Sequence, residues 1–333
     1  MIICLIIIML LLSGCQSAAN TTTTDAATVT AAGTAAVLTA VIPAASAIVV
    51  DPEFTERDLE TTHDDSTATH VTFDGSNIQV TGDGATASNG VLTISAEGTY
   101  VVTGNLSDGQ IIVAAADTDK IQIVLNGVTI NCADNAPIYI KSANKVFVTL
   151  NKDTINTLTD GSAYVQTDEN TVDAVIFSKA DLTINGEGTL NITSKANHGI
   201  VSKDDLVITG GSITITNSVE GIEGTAIIVE GGTIDLTSQD DGFNRASGSA
   251  AETDIGGKGG GGAMENDANV YVSIAGGTIN VNASRDGLDS NGNLYISGGY
   301  ITVSGPTNNG NGALDYNGTA DITGGTVVAV GPQ

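Results

Sequence analysis

The chain has no tryptophan, 5 prolines, 3 cysteines and only 11 basic residues in 333 positions. Each shortage excludes something. With 7 Tyr and 5 Phe as its only large rings, the protein has too few aromatics for a long planar stacking platform. Eleven basic against 38 acidic residues give a formal charge of −27, which removes nucleic acid as a partner, since a phosphate backbone needs a basic footprint. An anionic ligand could still bind with divalent cations between the two like charges. Cys4 and Cys15 lie in the first few residues, so Cys132 is left alone and no disulfide framework can form. What is abundant is glycine, 41 in all, among Thr, Ile and Val. That mixture suits short strands broken by turns and argues against a helical or doubly wound protein.

Residues 2–12 form an unbroken apolar run followed at once by Leu12-Ser13-Gly14-Cys15. The segment resembles a bacterial lipoprotein signal, with cleavage before Cys15, lipid on its sulfur and the mature protein at the extracellular face. It departs from that pattern in having no Lys or Arg before the run, so the true start is expected upstream. A membrane span is a poorer fit, because the run falls short of the roughly 20 residues that cross a bilayer. Residues 16–66 are Thr/Ala-rich and read as a flexible tether. Within them residues 29–50 carry no charge, but Pro43 and the Ala/Thr content again argue against a span. Membrane contact is therefore expected only through lipidated Cys15.

From residue 67 onward one phrase recurs: a Gly-Gly pair, an alternating strand and an acidic turn. The copies begin at Gly210-Gly211, Gly231-Gly232, Gly276-Gly277, Gly298-Gly299 and Gly324-Gly325. Neighbouring pairs are 21 residues apart (210 to 231), 22 (276 to 298) and 26 (298 to 324), the length of one solenoid coil. Apolar and polar residues alternate in stretches such as Ile121-Gln122-Ile123-Val124-Leu125, so each strand buries one face. Asn-Gly and Asp-Gly pairs separate the strands and also mark hairpins, but a face pattern that returns every coil places equivalent strands parallel and in register. The expected fold is all-β, a right-handed parallel β-helix over residues 67–333. Roughly ten coils at about 4.8 Å each make a rod about 50 Å long. Residues 247–267, rich in glycine, read as a loop inserted into one coil. Val327-Val328-Ala329-Val330 is a coil strand close to Gln333, and left uncovered it would expose a sheet edge.

Aligned on the Gly-Gly pairs, Glu220-Gly221-Ile222-Glu223, Asp241-Gly242-Phe243-Asn244, Asp286-Gly287-Leu288-Asp289 and Asn311-Gly312-Ala313-Leu314-Asp315 share one pattern, the last with a one-residue shift. Each coil offers two oxygen-bearing side chains flanking an inward apolar residue, and Asp289 should stack on Asp315. Like charges 5 Å apart repel by about 3 kcal/mol at an effective dielectric of about 20, so a neutralising partner is needed. Calcium takes carboxylate, amide and carbonyl oxygens, and stacked turns supply all three. The expected ligands are Glu220, Glu223, Asp241, Asn244, Asp286, Asp289, Asn311 and Asp315. Ordinary turn chemistry accounts for the first member of each pair but not for Glu223, Asp289 or Asp315. His198, aligned near Glu220, reads as a turn residue.

The run Leu125-Asn126-Gly127-Val128-Thr129-Ile130, the segment from Asn151 to Thr159, Asp286-Gly287-Leu288-Asp289-Ser290-Asn291-Gly292 and residues 306–316 resemble a bacterial family of extracellular carbohydrate-binding β-helix proteins. A clostridial protein that binds cellulose and acidic sugars typifies it. The resemblance covers about residues 70–333. It implies a polysaccharide-lyase-like helix that binds calcium and plant cell-wall polymers, including polygalacturonate, with no catalysis demonstrated in the type member. Family members continue past the equivalent of Gln333, so the chain is expected to be truncated. Two alternatives stand beside a monomeric binder: a pectate-lyase-like enzyme using Arg245 or Arg285 as base, and a passive stalk. Cellulose is the less supported ligand, because Tyr271, Tyr295, Tyr300 and Tyr316 are few and scattered.

Overall fold

The computed structural model describes residues 54–245, 270–307 and 310–331, together with the backbone of residues 38–41. The apolar run, Cys15 and the glycine-rich insertion of residues 247–267 lie outside the described residues. Among those described, no helix is long and apolar enough to cross a membrane.

The chain winds as a parallel β-helix, as the repeat predicts. Each coil contributes three strands. Asn293–Ile296 lies on a first face, Tyr300–Ser304 on a second and Leu314–Asp315 on a third, before Ala320–Ile322 re-enters the first. The first two faces form one continuous sheet and the third a sheet of ten strands. On the second face Ser212, Thr233, Thr278, Tyr300 and Thr326 stand in one register column, so the five Gly-Gly corners stack. Directly inside them Ile213, Ile234, Ile279, Ile301 and Val327 form a buried ladder. Period-2 alternation supplies it: every second residue faces the core and is apolar, and its neighbours are wet Thr, Asn or Asp.

The two corner glycines are needed for different reasons. Gly211, Gly232, Gly277, Gly299 and Gly325 adopt φ between +77° and +89°, a left-handed conformation that glycine enters without steric cost. The first glycine of each pair lies against the preceding coil: a Cβ on Gly298 would meet the Ala275 carbonyl oxygen at 2.0 Å.

Both ends are closed by antiparallel strands. At the start Thr69–Gly75 pairs with Asn77–Thr81, and Ala85–Ser88 with Val91–Ile94. At the other end residues 38–41 run antiparallel to Thr326–Val330, with Leu38 opposite Ala329 and Val41 opposite Thr326. This last strand edge is thus paired with backbone from the N-terminal segment.

The expected tether of residues 16–66 is corrected at its C-terminal part, where the chain docks on the outside of the first face. Phe54 packs on Val207, Ile228 and Tyr271, and the Arg57 guanidinium lies 4.3 Å above the Phe147 ring. Asp58, in the short 3-10 turn Glu56–Leu59, is fully buried. Lys145 Nζ lies 2.8 Å from its carboxylate, Thr183 donates its hydroxyl to it, and the Thr55 amide and hydroxyl each donate at 2.8 Å. Burial alone would raise this carboxyl, but the bonds from Lys145, Thr183 and Thr55 outweigh it and hold the group below the usual aspartate range. Composition suggested a tether because Thr and Ala dominate; the two or three residues that anchor the segment leave no periodic signal.

Candidate functional site

The outer surface of the third face carries one unbroken column. By register Ile112, Tyr139, Phe177 and Val201 succeed one another, and then Glu223, Asn244, Asp289 and Asp315. The column is therefore apolar over its first half and oxygen-bearing over its second. Tyr139 and Phe177 meet edge to face with centroids 5.9 Å apart. Residues 160–173 fold over them, burying Val172 and placing Asp168 and Asn170 on the Tyr139 hydroxyl.

A second column runs three residues upstream. The Gly221 amide donates to the Asp241 carbonyl, Gly242 to Asp286 and Gly287 to Gly312, so Glu220, Asp241 and Asp286 are stacked. Between the columns Ile222, Phe243 and Leu288 point inward and are fully buried. The intervening glycines are not in a left-handed turn. A Cβ on Gly242 would lie 2.3 Å from a Val281 methyl, and one on Gly287 2.1 Å from a Val303 methyl. The Asp-Gly pairs here let the wall press against the core, which is why an acid can sit on each side.

Seven of the eight residues singled out by sequence lie in these two columns. Side-chain oxygens of Asp241, Asp286 and Asp289 approach within 4.8 Å of one another, as do ligand atoms of His198, Glu220 and Glu223. Asn244 Nδ2 donates to Glu220 Oε1 at 2.7 Å. Asp241 accepts the Asp286 amide at 2.9 Å, and Asp286 accepts the Gly312 amide. Asn311 precedes the Gly312 rung by one residue, so it is out of step with the second column. His198, read as a turn residue, belongs to the upper cluster: Nδ1 is 3.5 Å from Glu220 Oε2, and Nε2 is 4.0 Å from Asp173 Oδ2. Lys203 also enters, with Nζ 2.6 Å from Glu223 Oε1. A third acidic group, Asp181, Asp204 and Asp205, escaped sequence reasoning. Only the register of Leu182 on Leu206, one residue on, reveals that Asp181 underlies Asp205.

The shifted carboxyl groups of both columns move in one direction. Burial, then the charge of Asp240 and later of Asp289 and Asp286, pushes Asp241 up to about 7. Burial with the charges of Asp315 and Asp286 pushes Asp289 up to about 6, against bonds from Asn291. Asp286 and Glu220 are raised by burial first and by neighbouring carboxylates second. Asp168 shows the opposite balance: burial opposes ionisation, but Lys141, the Asn170 amide and the Tyr139 hydroxyl hold it down to about 2. Asp241, Asp286 and Asp289 thus offer a hard, all-oxygen donor set in which like charges crowd together. Such a set fits a cation of the calcium type. The upper cluster, with Lys203 and His198 beside its glutamates, already contains basic groups.

Tyr271 is buried against Tyr295, with centroids 6.0 Å apart, in the cluster on which Phe54 packs. Tyr300 and Tyr316 are 50% and 44% exposed, on different faces, and only Tyr316 adjoins the acidic column. No aromatic strip is assembled among the described residues.

Residues 88–331 match a family described as carbohydrate-binding domain-containing protein. A protein of that description from Acetivibrio thermocellus is 38% identical over 148 residues, which are 44% of this chain and 52% of the relative. The chain thus spans about half the length of the curated relative it matches. Among solved structures, the polysaccharide lyase-like protein from C. thermocellum, a gadolinium derivative, superposes with a TM-score of 0.61 at 30% identity, covering 78% of this chain and 93% of that one.

Proposed function

The chain belongs to the family of carbohydrate-binding domain-containing proteins, and from that premise we propose that it binds acidic polysaccharide at the cell surface in a calcium-dependent, non-catalytic way. Polymers of the plant cell wall such as polygalacturonate are its proposed ligands. The outward stack of Asp241, Asp286 and Asp289, with Asp315 on the next rung, carries this reading. These residues would hold the ion. A calcium ion there would offset the crowded carboxylates and offer its remaining coordination positions to sugar carboxylate and hydroxyl oxygens. A lanthanide derivative of the similar C. thermocellum protein supports the same reading, because lanthanides favour the oxygen donors that calcium favours.

Binding without elimination is supported by how the two arginines are used. A base for elimination must face the proton beside the uronate carboxylate. Arg245 is buried, with Nε donating to the Thr225 carbonyl at 3.0 Å. Arg285 Nε lies 3.1 Å from Asp240 Oδ1. Both guanidinium groups are engaged by the protein itself. In the proposed arrangement lipidated Cys15 anchors the protein to the membrane.

Retention on immobilised polygalacturonate tests the reading. Stronger retention in calcium than in chelator, and a weaker response to calcium in Asp289→Asn, are the expected results. Equal retention with calcium and with chelator would remove the metal from the account. Absorbance of unsaturated uronate products would replace the binder with a lyase.

A further inference from the structure

Three of the chain's 11 basic residues occupy successive rungs of one column. Ser178 pairs with Ile140 on one side and Ser202 on the other, and the next residues along are Lys141, Lys179 and Lys203. The ladder continues through them, because the Lys179 amide donates to the Ile140 carbonyl at 2.9 Å and the Lys203 amide to Ser178 at 2.8 Å. Each lysine lies two residues beyond Tyr139, Phe177 or Val201, so its side chain leaves the same outer face beside the apolar half of the first column.

The three ammonium groups are used differently. Lys141 is committed to Asp168, at 2.9 Å, and pins the covering segment of residues 160–173. Lys179 is exposed, and its bonded partner at 2.7 Å is the neutral amide oxygen of Asn170. Lys203 stands where the column turns acidic, with Nζ 2.6 Å from Glu223 and 5.9 Å from the Phe177 ring centroid. A protein of net charge −27 repels an anionic polymer over most of its surface. Adjacent lysines whose backbones are one rung apart, about 4.8 Å, offset that repulsion locally.

We propose that Lys179 and Lys203 form a metal-independent subsite for the carboxylates of an anionic saccharide lying along the third face. This rests on the carbohydrate-binding reading and adds to it a direct charge contact beside the calcium column. A ligand carboxylate on Lys203 takes the place of Glu223, so one ion pair is exchanged for another. On Lys179 it replaces a neutral acceptor with a charged one, which makes the stronger bond.

The test is retention on polygalacturonate and on its methyl ester, in chelator and at low salt, by the wild type, Lys179→Gln, Lys203→Gln and the double variant. The wild type is expected to hold the acid polymer more strongly than the ester and to release it as salt rises. Each substitution should lower that retention about threefold, the range of an exposed ion pair, and the double variant should treat acid and ester alike. Lys203→Arg, which keeps the charge, should retain binding, and equal melting midpoints will show that every variant is folded. Equal behaviour of wild type and double variant in chelator, at whatever level, overturns the lysine subsite. If calcium-supported retention persists in that case, the calcium reading stands without it; if calcium supports no retention either, both fall.

Discussion

Raising the pH from 5 to 8 in the presence of chelator should destabilise this protein, and calcium should reverse the effect. Asp241 titrates near 3.8 in the unfolded chain and at about 7 in the folded one; for Asp289 the values are 3.8 and about 6. Between the two values the folded state keeps a proton that the unfolded chain has released. Stability therefore falls as pH rises through that window and levels off above the folded value. From pH 5 upward, Asp241 has about two decades left and Asp289 about one, which at 1.4 kcal/mol per decade is about 4 kcal/mol together. Both groups are partly solvated, and screening cuts that roughly in half, to about 2 kcal/mol. For a chain of this size the loss corresponds to a fall of about 5 °C in melting midpoint. Glu220 and Asp286, raised in the same direction, add to it. Asp58 acts oppositely, but its contribution is lost only below the ordinary aspartate range, outside this window. The assay is a series of melts followed by circular dichroism at pH 5, 6, 7 and 8, with chelator and with calcium. A midpoint in chelator that stays level or climbs from pH 5 to 8 would refute the reasoning, as would equal stabilisation by calcium at both ends of the series.

Replacing Asp58 by Ala leaves Lys145, whose side chain is 8% exposed, buried without this carboxylate, and should cost about 3–5 kcal/mol in denaturant titration; a change under 1 kcal/mol would mean that the docked N-terminal segment contributes little. Gly299→Ala places a Cβ on a residue at φ +83° and 3.0 Å from the Gly276 carbonyl oxygen, with an expected loss of about 1–3 kcal/mol, read as a lower melting midpoint. Cys132 is buried, and that burial pushes its thiol up to about 11. Its reaction with a thiol reagent at pH 8 should therefore track unfolding by denaturant, and rapid labelling at Cys132 in the native protein would contradict the structure.

Much of this was legible in the residues alone. The Gly-Gly period fixes the coil, because a strand that repeats its apolar face every 21 to 26 residues can bury that face only against its own neighbours. Asp289 over Asp315 followed from an offset of 26 residues, and the structure places them in register. His198 and Lys203 were not legible as members of the column, since a single His or Lys carries no period. The docking of Asp58 under Lys145 was hidden for the same reason, being a contact across 87 residues with no pattern to announce it.

The sequence by itself determined the parallel β-helix and the acidic half of its third face, since both are written as repeats, and a repeat converts directly into stacking. Only the tertiary structure decided that the N-terminal segment returns to the rod, and that the oxygen column is continuous with an apolar one edged by lysines. Those arrangements depend on side chains from different coils meeting outside the core. There no alternation of buried and exposed positions constrains the residues, and their partners are set by the path of the chain in space.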